Sequence, residues 1–231
     1  FDKSRDNISD FQLASYIISH NQKMTEYLIN NKIDESKIVN LEIFDYLISI
    51  ENISNHYEDE ALLCYAGNLK KSKFIYNFPA ELKKLKINLY GNGYIGDQNG
   101  LNYKGAFPSD KISSLIKGKY GLIWDGDRID TCSGKIGNYL RYNNPHKLSM
   151  YVAANMPVII WNKAAEADFV KKNGIGITIS SLSEIPEKIN SISKEDYLKM
   201  NSSVKDVKSK IKNGKFLLNA LNEIESRIKN A

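Results

Sequence analysis

The segment that most constrains the fold is residues 139–161, which read YLRYNNPHKLSMYVAANMPVIIW. A polar loop leads into helical spacing of apolar residues, and Pro157 then prevents the helix from continuing. The run Val158-Ile159-Ile160-Trp161 that follows is short and wholly apolar. Such a run is typical of a strand that is buried on both faces of a parallel sheet. The segment therefore predicts one loop, helix and strand unit of an α/β protein.

Lys147 lies in the first turn of that predicted helix, with Asn144 as its cap and Pro145 at the first helical position. The first N–H groups of a helix are unpaired and carry the positive end of its dipole, so helix starts are favourable sites for phosphate. A lysine is slightly unfavourable there unless an anion shares the site. Two interpretations remain open at this point, an anion site and an ordinary α/β unit with a solvated lysine.

Short apolar runs alternate with helical patterns along nearly all of the 231 residues, which favours an α/β fold with parallel sheets. We expect residues 1–48 to be the C-terminal part of an N-terminal α/β domain, and the polar residues 49–60 to be a linker. Residues 61–192 should form a Rossmann-like nucleotide-binding domain, followed by helices in 193–231. Two strands before residue 49 are too few for an independent parallel sheet, so the first domain should be incomplete in this chain.

The last predicted helix has an apolar stripe and should pack beyond its own domain. A subunit interface in a homo-oligomer would use this stripe, and the resemblance described below suggests the first domain as the alternative partner.

The charge pattern and the small numbers of Cys and His residues exclude several classes of function. The net charge of +5 is spread over lysine-rich helical faces without an arginine cluster, which argues against a nucleic-acid partner. The 2 Cys and 3 His residues follow no ligand spacing, so we expect no metal site and no cofactor. No stretch is long and apolar enough to span a membrane. A cytoplasmic protein is therefore the expectation.

A turn rich in polar residues follows the first predicted strand of the second domain. Gly67 would let a diphosphate approach the backbone, while Asn68, Lys71 and Ser72 could donate hydrogen bonds to it. The alternative is a simple turn with solvated lysines.

Further candidates follow other predicted strands. Tyr103 and Phe107 could stack on a uracil ring or could pack under a neighbouring loop. Asp125 follows a buried strand at the edge where ligands of open α/β sheets collect. Together with Asp127 it lacks the further ligands of a metal site, which favours a role in binding sugar hydroxyls or capping a helix.

Several motifs together resemble the donor-binding domain of GT-B glycosyltransferases. More narrowly, the chain is similar to a bacterial family that contains the glucosyltransferase acting second in the glycosylation of serine-rich-repeat adhesins, and related galactofuranosyltransferases. The motifs are LEIFDYL (41–47), AGNLKKS (66–72), GLIWDGD (121–127), TCSG (131–134) and YNNPHKLSMYVAANMPVI (142–159). Asn155 departs from the glycine of many relatives, but Asn also tolerates the left-handed conformation.

The resemblance implies a GT-B enzyme that binds a UDP-sugar without a metal in a cleft between two nucleotide-binding-like domains. It implies transfer of a hexose, with glucose as the first candidate, to a glycan acceptor such as a GlcNAc-modified serine-rich adhesin. Tyr142, Asn143, Asn144 and Lys147 would belong to the nucleotide-sugar site, and the sequence identifies no catalytic base. The alternatives are a galactofuranosyltransferase that uses UDP-galactofuranose and a non-catalytic nucleotide-sugar-binding subunit.

Overall fold

The computed structural model describes residues 8–48, 56–96 and 100–230. Near the N-terminus, β1 (Ile17–Ser19) and β2 (Ile38–Asn40) form a two-stranded parallel sheet. A second sheet has six strands, which are β3 (Leu63–Ala66), β4 (Ile87–Tyr90), β5 (Leu101–Tyr103), β6 (Tyr120–Ile123), β7 (Val158–Trp161) and β8 (Gly176–Ile179).

The six-stranded sheet is parallel throughout, with the order β5-β4-β3-β6-β7-β8. The chain adds strands to one side of β3 and then returns to place β6 against its other side. The connection that follows β3 and the connection that follows β6 therefore run in opposite directions along the sheet. This opens a crevice beyond the carboxyl ends of these two strands. Ligands of doubly wound sheets bind at such a switch point. The expected α/β architecture with a parallel sheet is confirmed.

Helices pack around this sheet and against one another. The α-helices of the described residues are α1 (Ile8–Leu13), α2 (Gln22–Asn30), α3 (Ala80–Lys83), α4 (Ile112–Leu115), α5 (Gly134–Tyr139), α6 (His146–Ala153), α7 (Ala167–Lys172), α8 (Ile185–Asn190), α9 (Lys194–Ile211) and α10 (Lys215–Lys229). The helices α5 and α6 both lie in the connection from β6 to β7, and α6 is buried from Leu148 onward. Asn155, just beyond its end, has φ 60°, which confirms the left-handed turn expected there.

The core explains why the strands are apolar on both faces. Every residue of β3, β4, β6 and β7 is buried, because helices or loops cover both sides of the sheet. The ring of Tyr151 on α6 lies directly on Gly121 in β6, where an added Cβ would come within 2.3 Å of the ring. The Tyr151 hydroxyl accepts a hydrogen bond from Ala66 N at 2.9 Å. This contact joins α6 to the carboxyl end of β3.

Element bounds agree with expectation where the periodicity is strong and differ where it is not. The sequence pattern predicts helices over residues 108–117 and 72–77. The structure has the single turn α4 in the first range and a short 3₁₀ helix in the second. The sequence pattern of residues 131–134 predicts a polar loop and does not predict α5, because the glycines at the first and fourth positions of this helix weaken its helical pattern. Packing explains Gly137, where an added Cβ would lie 2.6 Å from the carbonyl carbon of Cys132.

Only part of the predicted linker can be compared with the structure. Residues 49–55 lie outside the described residues, while His56 begins a short 3₁₀ turn and is fully buried. Its Nδ1 lies 2.7 Å from Asp59 Oδ2, and its Nε2 donates to the carbonyl of Ala154 at 2.7 Å. Asp59 also accepts a hydrogen bond from Gly118 N at 2.7 Å. Residues 56–60 therefore pack onto the second domain, and the domain boundaries stay a prediction.

The helix α10 contacts the N-terminal segment. Asp45 accepts hydrogen bonds from Phe216 N at 3.2 Å and Leu217 N at 2.7 Å, so it caps the start of α10. Near the other end, Arg227 donates to the carbonyls of Ser36 and Ile38 at 2.7 and 3.1 Å. Only part of the apolar stripe is covered in the described structure. Its exposed members are Leu217, Leu221 and Ile228.

Candidate functional site

Four side chains form one hydrogen-bonded cluster at the switch point, and we call them the lysine cluster: Tyr65, Ser72, Asp125 and Lys147. Lys147 Nζ lies 2.7 Å from Asp125 Oδ1 and donates to the Tyr65 hydroxyl at 2.9 Å. The Tyr65 and Ser72 hydroxyl oxygens are 2.6 Å apart. Tyr65 belongs to β3, Asp125 lies two residues beyond β6, and Lys147 lies in the first turn of α6.

Electrostatics keep the lysine charged. Burial alone would lower the pKa of Lys147, but Tyr65 and the Asp125 carboxylate outweigh burial and raise it above its ordinary value. Burial raises the pKa of Tyr65, so its hydroxyl stays neutral. The side chains of Lys147 and Asp125 are 17% and 18% exposed. The ion pair is therefore largely packed while part of it reaches the crevice.

The geometry leaves one donor of the ammonium group for a ligand. Of its three hydrogens, two are directed to Asp125 and Tyr65, and the next acceptor is the carbonyl of Trp124 at a long 3.5 Å. The N-cap residue of α6, Pro145, makes no side-chain hydrogen bond to the start of the helix. An anion at this position could accept from the ammonium group and interact with the positive end of the helix.

The predicted capping role of Asn144 is wrong. Its Nδ2 donates to the carbonyls of His20 at 2.6 Å and Glu42 at 3.2 Å, and its Oδ1 accepts from Asn21 Nδ2 at 2.7 Å. Pro145 takes the N-cap position instead of the first helical position. The side chain is buried and occupied by partners more than a hundred residues away, which a local sequence pattern cannot reveal. Asn144 holds the start of α6 against the N-terminal segment.

The two residues before Asn144 lie at the same contact between the start of α6 and the N-terminal segment. The carbonyl of Tyr142 accepts from Asn21 Nδ2 at 2.9 Å, and its ring meets the ring of Tyr27 edge to face. Asn143 Oδ1 is buried and has no hydrogen-bond partner in the described part of the chain.

The turn after β3 lies beside the lysine cluster. A Cβ added to Gly67 would lie 3.2 Å from both Lys147 Cε and the Tyr65 hydroxyl, so glycine avoids crowding these groups. Asn68 is exposed, and its Oδ1 accepts from Lys71 N at 3.1 Å. The side chain of Lys71 is exposed to solvent.

The structure does not bring the two aromatic candidates into the lysine cluster. The Tyr103 hydroxyl donates to the carbonyl of Gly91 at 3.1 Å, and its ring stacks on Tyr94 at 4.9 Å. Phe107 is 38% exposed and lies beside Tyr90. The packing alternative therefore describes Tyr103 better than stacking on a base.

Sequence reasoning missed three residues at this edge of the sheet. Tyr65 was hidden in an apolar strand, and Arg141 lies over the buried Trp161 ring at 4.5 Å. Glu166 precedes α7 and is buried. In the sequence an acid before a helix looks like an ordinary N-terminal residue, so no local pattern distinguishes Glu166.

Within residues 8–48, 56–96 and 100–230, no three acidic, His or Cys side chains come together in a way that could hold a metal ion. None of the helices in the same ranges combines the length and apolarity needed to cross a bilayer.

A family model described as "Glucosyltransferase 3-like, C-terminal domain" matches residues 63–224. The chain belongs to this family. It is 37% identical over 218 residues to the beta-1,6-galactofuranosyltransferase WbbI of Escherichia coli K12, covering 92% of this chain and 64% of that protein. It is 21% identical over 218 residues to glucosyltransferase 3 of Streptococcus parasanguinis, covering 94% of this chain and 62% of that protein. The chain thus spans less than two thirds of the length of either relative.

Solved glycosyltransferase structures share the fold of this glucosyltransferase 3-like chain. The UDP complex of HepE from Anabaena superposes with a TM-score of 0.63 at 11% identity, covering 100% of this chain and 70% of HepE. The lipopolysaccharide outer core galactosyltransferase WaaB has a TM-score of 0.63 at 14% identity, covering 93% of this chain and 62% of WaaB. Identities this low show the fold alone. The fold is of the GT-B type, as the motifs predicted.

Proposed function

We propose that the protein is a glycosyltransferase that binds a UDP-sugar along the carboxyl edge of its six-stranded sheet and transfers the sugar to a glycan acceptor. The observation that carries this proposal is the position of the lysine cluster. A charged amino group and an uncapped helix start meet at the switch point of a nucleotide-binding-type sheet. Membership of the glucosyltransferase 3-like family supports the proposal independently.

The proposed chemistry is electrostatic stabilisation of the leaving group. When the bond between the sugar and UDP breaks, negative charge develops on the diphosphate. Lys147 and the positive end of α6 would stabilise that charge, as a preorganised cation and dipole do in a site of low polarity. Asp125 and Tyr65 hold the ammonium group in place beforehand. Lys71 on the adjacent turn would supply a second cation, and no divalent metal would be needed.

The other predicted residues have different roles in this proposal. Gly67 would let the diphosphate approach the backbone, and Asn68 and Ser72 would shape the turn around it. Asn144 would position the start of α6 and would not contact the donor.

The donor sugar is proposed from the relatives. Identity to a galactofuranosyltransferase is 37%, against 21% to a glucosyltransferase, so UDP-galactofuranose is the first donor to test and UDP-glucose the second. A non-catalytic nucleotide-sugar-binding subunit is the alternative from another class. Turnover of a UDP-sugar by the full-length protein alone would separate this alternative from an enzyme.

Calorimetry with UDP and GDP tests the nucleotide part of the proposal. We expect UDP to bind and GDP to bind more weakly. Lys147→Ala should weaken UDP binding about ten- to hundredfold, since a charge-assisted hydrogen bond contributes about 1.5–3 kcal/mol. Lys205→Ala, which removes an exposed lysine of α9, is the control and should leave binding unchanged. Equal binding of UDP and GDP, or the same affinity in the Lys147 variant, would contradict the proposal.

A further inference from the structure

Glu166 is a buried carboxyl group whose hydrogen bonds are incomplete. The residue is 1% exposed, and its Oε2 has no partner in the described ranges. A buried polar atom without a hydrogen bond is costly, and such atoms are rare in native proteins. The lysine cluster does not account for Glu166, since none of the contacts of that cluster involves it.

Its position in the fold places Glu166 at the functional edge of the sheet. It follows β7 and immediately precedes α7, so it lies on the same edge as the lysine cluster. The preceding residue, Ala165, donates its N–H to the carbonyl of Leu140 at 2.7 Å, next to the loop that leads into α6. Burial, and secondly the charge of Glu42, raise the pKa of Glu166. Glu166 therefore lies between the α6 loop and the N-terminal segment.

Other unpaired polar atoms occur at this contact between the α6 loop and the N-terminal segment. Asn143 Oδ1 and His20 Nδ1 are buried and lack partners within the described residues. Asn144 links these neighbours, because its side chain donates to the carbonyls of both His20 and Glu42. Asn143 Oδ1 is an acceptor, and Glu166 Oε2 accepts when the carboxyl is ionised and can donate when it carries the proton. A sugar suits this pair, because each of its hydroxyl groups can both donate and accept a hydrogen bond.

We propose that Glu166, with Asn143, binds hydroxyl groups of the sugar ring of the donor and so determines affinity for the sugar. This inference rests on the proposed function, in which Lys147 binds the diphosphate of the same donor. Lys147 follows Asn143 by four residues, across the start of α6. The diphosphate and the sugar of one donor would then lie on either side of that helix start.

The stability of the Glu166 variants distinguishes a binding role from a purely structural one. A buried carboxylate that is kept for packing or internal hydrogen bonding should stabilise the fold, and its replacement should be destabilising. Oε2 of Glu166 has no such bond among the described residues, and the Glu166 carboxyl lies near the like charge of Glu42, so Glu166→Gln should be at least as stable as the wild type at neutral pH. Loss of sugar affinity without loss of stability is the pattern expected of a binding residue.

The experiment compares UDP with UDP-sugars in the full-length protein. Calorimetry would give the affinities of wild type, Glu166→Gln and Glu166→Ala for UDP, UDP-galactofuranose and UDP-glucose. For the sugar donor that binds wild type more tightly, we expect about a fivefold loss in the Gln variant and tenfold or more in the Ala variant. Affinity for UDP should stay within about twofold, which corresponds to less than 0.5 kcal/mol. Glu187→Gln, at an exposed position of α8, is the matched control.

Two results would overturn the inference in distinguishable ways. If both Glu166 variants bind the UDP-sugar as tightly as wild type, Glu166 does not bind the sugar and the proposed function stands. If wild type binds neither UDP nor a UDP-sugar, the proposed function fails and the inference fails with it. Should Glu166→Ala be unfolded by circular dichroism, Glu166→Gln alone decides between these outcomes.

Discussion

The ammonium group of Lys147 lies 2.7 Å from Oδ1 of Asp125, and this ion pair joins three elements of the fold. Lys147 lies in the first turn of α6, Asp125 follows β6, and the Tyr65 hydroxyl that completes the contact belongs to β3. The pair is mostly buried, so the same atoms that would bind a diphosphate also hold the switch point together. Changes to the site should therefore affect stability as well as binding.

Lys147→Ala should lower the free energy of unfolding by about 1–3 kcal/mol, because it leaves the Asp125 carboxylate largely buried without its cation. The double variant Lys147→Ala/Asp125→Asn should regain part of that stability, since it removes the unpaired charge. It should not regain UDP affinity, because the cation is still absent. Urea denaturation and calorimetry on the same samples would measure both quantities. Recovery of UDP affinity in the double variant would show that Lys147 acts only through folding.

The pH dependence of stability should report on Glu166. Its pKa is raised in the folded protein, above the ordinary value of 4.5, by burial first and by Glu42 second. The folded state therefore favours the protonated form, and the contribution is fully present below pH 4.5. It is lost as the pH rises from there through the raised pKa. Glu166→Gln should flatten this part of the curve and make the protein more stable at neutral pH.

Urea denaturation at several pH values above 4.5 would test this prediction, with Glu187→Gln as the control. A wild type and a Glu166→Gln variant whose stabilities differ by the same amount at every pH would contradict it.

Asp45 should anchor the start of α10. Its two carboxylate oxygens accept from Phe216 N and Leu217 N, so Asp45→Ala leaves both N–H groups without these partners. We expect a loss of about 0.5–2 kcal/mol, the range for removing a helix cap. Asp206→Ala, an exposed position of α9, should change stability by less than about 0.5 kcal/mol. Equal effects of the two substitutions in thermal unfolding would show that the contact is not stabilising.

Transfer should proceed without a divalent metal, because Lys147 and the start of α6 would stabilise the leaving diphosphate. Activity of the full-length enzyme on its UDP-sugar should be unchanged after treatment with EDTA. Added Mg²⁺ or Mn²⁺ should not increase it. Loss of activity in EDTA that is restored by either ion would refute this mechanism.

The regular elements could be predicted because their patterns are local. The sequence patterns predict strands over residues 87–90 and 158–161 and a helix over residues 22–30. These are the bounds of β4, β7 and α2, since each is a strongly apolar run or a helical pattern with clear ends. The left-handed turn at Asn155 followed from the glycine that many relatives carry there and from the tolerance of Asn for this conformation. The placement of Lys147 in the first turn of a helix followed from the same kind of local signal.

The contacts that build the site could not be predicted, because they join residues far apart in the chain. Asn144 resembled a helix cap until three partners in the N-terminal segment were seen to occupy its side chain. Tyr65 appeared to be one more apolar strand residue, yet its hydroxyl meets Lys147. Hydrogen bonds to these distant partners replace local ones, and the packing of the folded chain determines which of the two form.

The sequence by itself determined the α/β class, the main strands and helices, and the family, because periodicity and short motifs are properties of neighbouring residues. Only the tertiary structure decided which polar groups are paired and which are not. Lys147 has Asp125 and Tyr65 as partners, whereas Oε2 of Glu166 is buried without a partner among the described residues. The physical reason is that the order of the strands brings strand ends that are distant in sequence to one edge of the sheet. The partners of a charged group at the end of a strand or helix are therefore set by the folded sheet.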